Sequence, residues 1–302
     1  MTSPDTSRLM RRATMAAISV AVLLVAVKAF AYFATNSVAL LSSLADSALD
    51  MLASGLNLLA VRHALTPADS DHRFGHGKAE PLSALAQGAF IAGSAVLVGI
   101  EAVARFDRPT PVSDGDFGIA VMVFSTVATI GLVVFQRYVI KRSGSTAISA
   151  DSLHYTGDLM LNISVIVALI VATRFDVPWA DPAFGVCIAL FLLANAFRIA
   201  RSAVGVLMDS ELSEADRAKI LAIVRQHPRV RNVHELRTRA SGLHQFIQMH
   251  LVLDPALSLV DAHRISDDVE AAVQADFPNA DIIIHEDPDG IAEFHPPVGA
   301  GL

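Results

Sequence analysis

Residues 42–61 read SSLADSALDMLASGLNLLAV, and residues 147–172 read AISADSLHYTGDLMLNISVIVALIVA. Each lies in a stretch long and apolar enough to cross a hydrocarbon core about 30 Å thick, yet each is interrupted by acids. Asp46 and Asp50 stand four apart in the first, His154 and Asp158 four apart in the second. That spacing sets both members of a pair on one helix face. A bare charge against lipid costs several kcal/mol, so such residues face a cavity, where they pair or bind something. The two stretches therefore predict a membrane protein built around an internal polar site.

Working outward, apolar spans fall near 13–34, 38–62, 82–104, 117–139, 147–173 and 182–208, which gives six transmembrane helices. Arg8, Arg11 and Arg12 precede the first span without a small-residue cleavage pattern after it, so the start reads as a span rather than a cleaved signal. An even number of spans leaves both termini on one side, and Lys and Arg in short loops mark the cytoplasm. Arg8, Arg11, Arg12, Arg62, Arg73, Lys78, Arg137, Lys141 and Arg142 fall on one face; only Arg105, Arg108 and Arg174 fall on the other. Both termini are thus expected in the cytoplasm. Lys28 lies inside the first span, where it is expected to snorkel toward the outer end as a packing residue.

The charge distribution separates the chain into two parts. Residues 1–208 hold 29 of the 53 Asp, Glu, Lys and Arg, with a net charge of +1, whereas the last 94 residues hold 24 and net −8. A membrane block is followed by an acidic soluble domain, which lacks the basic surface a nucleic acid would need. The single Cys187 excludes an intrachain disulfide framework and a Cys-based zinc finger. In the soluble part, Ser213-Glu214-Ala215-Asp216 opens a helix ended by His227-Pro228. Val230–Thr238 and Phe246–Leu253 alternate as strands across a Ser241-Gly242 turn, Leu259–Ala275 is a second helix and Ile282–His285 a third strand. The order αββαβ predicts a small α+β, ferredoxin-like cytoplasmic domain. The expected division is a membrane domain over 1–208, the cytoplasmic domain over 209–290 and a loose tail over 291–302.

The two acid-bearing spans run in opposite directions. At about 1.5 Å per residue, Asp46 and Asp50 lie about 12 and 18 Å from the outer edge, and His154 and Asp158 about 16 and 22 Å from the inner edge. Those depths overlap, so four ligands can converge near mid-membrane. Three carboxylates and an imidazole suit a divalent first-row ion, Zn²⁺ above all. Such ligands must lose their protons to bind metal, so protons and metal compete. Reached alternately from the two sides, this site is a cation/proton exchanger; a plain helix–helix polar contact with protonated acids is the simpler reading weighed against it.

Two further clusters have ligand character. In the loop after the second span, Asp69, His72 and His76 stand at i, i+3 and i+7, close enough to wrap one ion; His63 nearby has no evident partner and reads as surface. In the soluble domain, His234, His250, His263, His285 and Asp287 could meet at one edge of the sheet, with Asp287 bridging two ions and Glu286, His244 and Asp261 as extras. No H-E-x-x-H and no G-x-x-x-x-G-K-[ST] occurs, which argues against a zinc protease and against nucleotide-driven transport. A metal sensor or a channel uncoupled from protons remains as a different class.

From about residue 8 to 290 the chain resembles the cation diffusion facilitator family, in its bacterial zinc and ferrous-iron efflux branch. The resemblance rests on Asp46-x3-Asp50, His154-x3-Asp158 and the string His72-x-Phe74-Gly75-His76-Gly77-Lys78-x-Glu80. It implies a secondary transporter of the bacterial inner membrane, not an enzyme, exporting Zn²⁺ and with it Cd²⁺ or Fe²⁺ in exchange for protons. It implies a homodimer with the transport site at Asp46, Asp50, His154 and Asp158 in each protomer. It further implies a second ion at Asp69, His72 and His76, and a binuclear cytoplasmic site at His234, His250, His263, His285 and Asp287, where Zn²⁺ is structural or regulatory. Lys78 and Asp209 match a charge interlock at the membrane–cytoplasm joint, and His154 in place of an acid goes with zinc and cadmium. Glu286 stands where similar chains tend to carry Gln.

Overall fold

The computed structural model describes residues 4–35, 38–107, 116–175 and 180–291. The chain divides between Met208 and Asp209 into two compact units. Six long helices make up the first: α1 (Pro4–Thr35), α2 (Val38–Ala64), α3 (Ala79–Asp107), α4 (Asp116–Ser143), α5 (Thr146–Phe175) and α6 (Ala180–Leu207). Within α1, α3, α4 and α6 lie windows long and apolar enough to cross a membrane; α2 and α5 are the two whose apolar run is broken by acids. Arg108 and the tail from residue 292 lie outside the described residues.

The membrane unit is inside-out relative to a soluble bundle. On α2, Ser47, Ser54 and Asn57 are buried while Leu49, Leu52, Leu56 and Leu59 are exposed at 55–64%. That pattern is what hydrocarbon on the outside and a polar site on the inside require. Small residues let the helices approach closely: a Cβ added at Gly185 of α6 would stand 2.8 Å from the Cβ of Ala102 on α3, and one at Gly157 of α5 2.7 Å from Leu192 Cδ2 on α6. Lys28 departs from the snorkelling expectation. Its ammonium turns inward, donating to Ser47 Oγ (2.7 Å) and to the Ser43 carbonyl (3.2 Å) of α2, because α2 offers oxygen acceptors closer than any membrane surface.

The second unit has the αββαβ order, with α7 (Glu214–Val224), β1 (Asn232–Ser241), β2 (His244–Leu253), α8 (Leu259–Asp276) and β3 (Ala280–Pro288). Both helices start on a serine cap: Ser213 accepts from the Asp216 amide and Ser258 from the Asp261 amide, the side-chain arrangement that satisfies otherwise orphaned N–H groups. The β1 and β2 strands pair antiparallel, and β2 and β3 pair parallel, in the order β1-β2-β3. Ile247, Met249, Leu251 and Leu253 of β2 pack with Ile265, Val269 and Val273 of α8 and with Ile220 and Val224 of α7 in one core. The helices therefore cover one face of the sheet, and the alternate residues of β2, His250 among them, point to the other.

Candidate functional site

In the membrane unit, α2 and α5 bring Asp50, His154 and Asp158 together, each offering a ligand atom within 4.8 Å of the others. His154 Nε2 stands 2.7 Å from Asp50 Oδ1 and 4.0 Å from Asp158 Oδ2. Asp46, one turn earlier on α2, is exposed and is not one of these three. The side chains of Asp50 and His154 are 18% and 19% exposed and that of Asp158 is 39% exposed, so the trio is partly shielded yet still reachable by an ion.

One turn away along α5 sits a polar clasp that the i,i+4 spacing does not announce. Asp151 is fully buried, accepting from Gln136 Nε2 of α4 (2.6 Å) and Ser54 Oγ of α2 (3.2 Å). Ser54 Oγ also lies 2.8 Å from the Tyr155 hydroxyl. Three helices are thereby tied together one turn from His154. The signal was present: Asp151 precedes Asp158 by seven residues, on the same helical stripe.

The loop between α2 and α3 wraps Asp69, His72 and His76 into a second cluster with all ligand atoms within 4.8 Å. Asp69 Oδ1 accepts from the amides of His72 (2.7 Å) and Asp71 (3.0 Å). The His72 amide, helped by that of Asp71, holds this carboxyl below the usual carboxylate range although it is exposed. Asp69 Oδ2 faces His76 Nε2 at 3.3 Å. The turn needs Gly75, whose φ of +78° disfavours any side chain. Glu80, buried at the start of α3, accepts from the Ala147 amide and so fixes this loop to the beginning of α5. His63 is not a partnerless surface residue, since its ring packs on that of His76 at 4.5 Å.

The cytoplasmic unit gathers His234, His250 and Asp287 on the sheet face opposite its helices, again within 4.8 Å. Asp287, buried among imidazoles, meets His250 Nδ1 at 2.8 Å, His234 Nε2 at 3.2 Å and His285 Nε2 at 3.1 Å. Cross-strand register brings them there: His234 pairs with His250 and His250 with His285. His263 is elsewhere. It lies exposed on α8, 3.7 Å from Asp267, on the layer that covers the other face. Glu286 also points to that side and accepts from Ser266 Oγ of α8 (2.7 Å), while Asp261 is engaged in capping α8. A bulge between His234 and Arg237 puts Glu235 at φ +48° and brings its carboxylate to 3.9 Å from His250 Nε2, a placement set by strand register that no sequence period announces.

Three carboxylate–imidazole clusters, one among membrane helices, one in the loop between α2 and α3 and one on the small sheet, coincide with two family models. Residues 14–208 match the cation efflux transmembrane domain and residues 212–289 the cation efflux protein cytoplasmic domain. The chain belongs to the cation efflux family. It is 44% identical over 286 residues to the cation-efflux pumps FieF of Salmonella choleraesuis and Salmonella typhimurium, covering 93% of each chain. Among solved structures, CzrB in its Zn form is 31% identical over 28% of this chain and 99% of its own, with a TM-score of 0.27. The metal-bound C-terminal domain of the CzcD transporter from Thermotoga maritima is 27% identical over 27% of this chain and 100% of its own, with a TM-score of 0.26.

This cation efflux protein is thus a multi-pass membrane transporter of divalent metal ions, with helices and a small α/β domain as its two parts. Lys78 and Asp209, which the resemblance implies as an interlock, each have a partner inside their own unit. Lys78 Nζ donates to the Leu207 carbonyl (3.4 Å) and Asp209 pairs with Arg239 Nη1 (3.4 Å).

Proposed function

We propose that this protein exports Zn²⁺ from the cytoplasm in exchange for protons, using Asp50, His154 and Asp158, with Asp46 joining from the adjacent turn, as the cargo site. The observation that carries the reading is the 2.7 Å contact between His154 Nε2 and Asp50 Oδ1. A contact that short between these atoms holds one proton between them. They are also the atoms a metal would take, so an arriving ion must expel that proton and an arriving proton must loosen the ion. Carboxylate and imidazole donors favour Zn²⁺ over the harder Mg²⁺ and Ca²⁺ and also accept Cd²⁺ and Fe²⁺.

Coupling follows if the site opens to one side at a time. Metal loads from the cytoplasm, the helix pair α2–α5 rearranges, and protons from outside displace the ion. The clasp at Asp151 gives this pair a fixed joint beside the cargo site. The Lys and Arg distribution supports a cytoplasmic position for both termini, and the likeness to bacterial cation-efflux pumps supports a bacterial inner membrane. The cytoplasmic cluster around Asp287 holds further ions that help two copies associate as a homodimer. Zn²⁺ uptake by proteoliposomes with and without an imposed pH gradient tests the coupling. Flux that grows with the gradient supports exchange; flux indifferent to it makes the protein a channel or uniporter.

A further inference from the structure

His76 is the most buried member of the loop cluster, with only 4% of its side chain exposed. Its Nε2 faces Asp69, while its Nδ1 is buried with no hydrogen-bond partner among the described residues. Buried polar atoms are satisfied with few exceptions, and an exception points to an absent partner. Two imidazoles flank this ring at the same centroid separation of 4.5 Å: His72, tilted at 45°, and His63, edge-on at 65°. His63 belongs to the last turn of α2, and its carbonyl accepts from the Thr66 amide (2.9 Å). The chain then folds back so that His63 meets a residue 13 positions further on. Its backbone is fixed, and its side chain is exposed and can turn.

We propose that His63 is a fourth protein ligand of the loop site, closing it around a held divalent ion. The proposal rests on the reading of Asp69, His72 and His76 as metal ligands. Three protein ligands leave a tetrahedral ion one open position for water or cargo, whereas four close the shell, as in sites that hold an ion for structure. Three imidazoles and one carboxylate also make a softer donor set than the carboxylate-rich membrane site, suited to Zn²⁺ or Co²⁺ and poor for Mg²⁺. The loop ion then fastens the inner end of α2 to the turn that leads into α3, rather than passing cargo onward.

Co²⁺ binding to the full-length protein tests this, because four-coordinate Co²⁺ absorbs visible light far more strongly than six-coordinate Co²⁺. The wild type is compared with Asp69→Ala and with His63→Phe, which keeps an aromatic ring against His76 and removes only the nitrogens. The proposal expects Asp69→Ala to lose one ion per chain. It expects His63→Phe to weaken that same ion by about tenfold or more, since even outer-shell changes cost 10–100-fold, and to lose the share of the intense absorption that Asp69→Ala also removes. If Asp69→Ala loses the ion while His63→Phe keeps wild-type affinity and spectrum, His63 is a ring-packing residue and the proposal fails. If Asp69→Ala loses no ion, the loop holds no metal, and the underlying reading falls together with the proposal.

Discussion

Replacing Asp151 with alanine removes the acceptor at the centre of the clasp beside the cargo site. Two hydrogen bonds disappear, from Gln136 Nε2 at 2.6 Å and Ser54 Oγ at 3.2 Å. Their costs differ. Ser54 keeps the Tyr155 hydroxyl at 2.8 Å, so its loss is that of one ordinary bond, about 0.5–1.5 kcal/mol. Gln136 is fully buried, and its other amide atom, Oε1, has no hydrogen-bond partner among the described residues. Stripping its N–H of an acceptor leaves the side chain unsatisfied at about 1–3 kcal/mol. The sum is about 2–4 kcal/mol, which at roughly 2–4 °C per kcal/mol for a domain of this size lowers the melting midpoint by about 5–15 °C. Thermal unfolding in detergent measures it, with Asp151→Asn as the companion variant that keeps one acceptor and loses less. Because the clasp ties α2 to α5, the alanine variant also raises the Zn²⁺ concentration needed for half-maximal transport. An alanine variant that melts within about 1 °C of wild type would refute the reasoning.

Two further outcomes follow from particular contacts. Asp69 is held below its ordinary value of 3.8 by the His72 and Asp71 amides, so its stabilising contribution is complete above that value and is lost only as pH falls below it; its carboxylate therefore adds no pH dependence to loop binding between pH 7 and 5. Asp69→Asn should weaken loop binding while leaving the pH dependence of release across that window unchanged, as titration with Co²⁺ can show. Gly185→Ala should destabilise more than Gly157→Ala, because the new methyl meets Ala102 Cβ, which cannot move without its helix, whereas at Gly157 it meets the end of the Leu192 side chain, which can rotate. Comparing the melting points of the two variants checks this order.

The six helices were legible because each span is a long apolar run, and α2 and α5 because their acids repeat at helical spacing. The serine cap of α7 was equally plain, as Ser213 precedes Asp216 by three residues, and the structure adds the same arrangement at Ser258 and Asp261 of α8. What stayed hidden depends on relations between elements. Lys28 reads as a snorkelling lysine until α2 is seen to offer Ser43 and Ser47 beside it. Asp151 was masked by attention to i,i+4 pairs, although it shares a stripe with Asp158. In the cytoplasmic unit the parity of β2 and β3 puts His250, His285 and Asp287 on one face, but nothing in the sequence says that α8 covers the other, which is why His263 stands apart from that cluster within the chain. His63 needed the loop to fold back before its neighbour could be known.

The proposed passage of cargo through the pair α2–α5 is tested by Zn²⁺ flux into proteoliposomes under an imposed pH gradient. Wild type, Asp50→Ala and Asp69→Ala are compared at equal reconstitution. Gradient-driven flux abolished by Asp50→Ala and retained by Asp69→Ala is the predicted result. Wild-type flux in Asp50→Ala would contradict it.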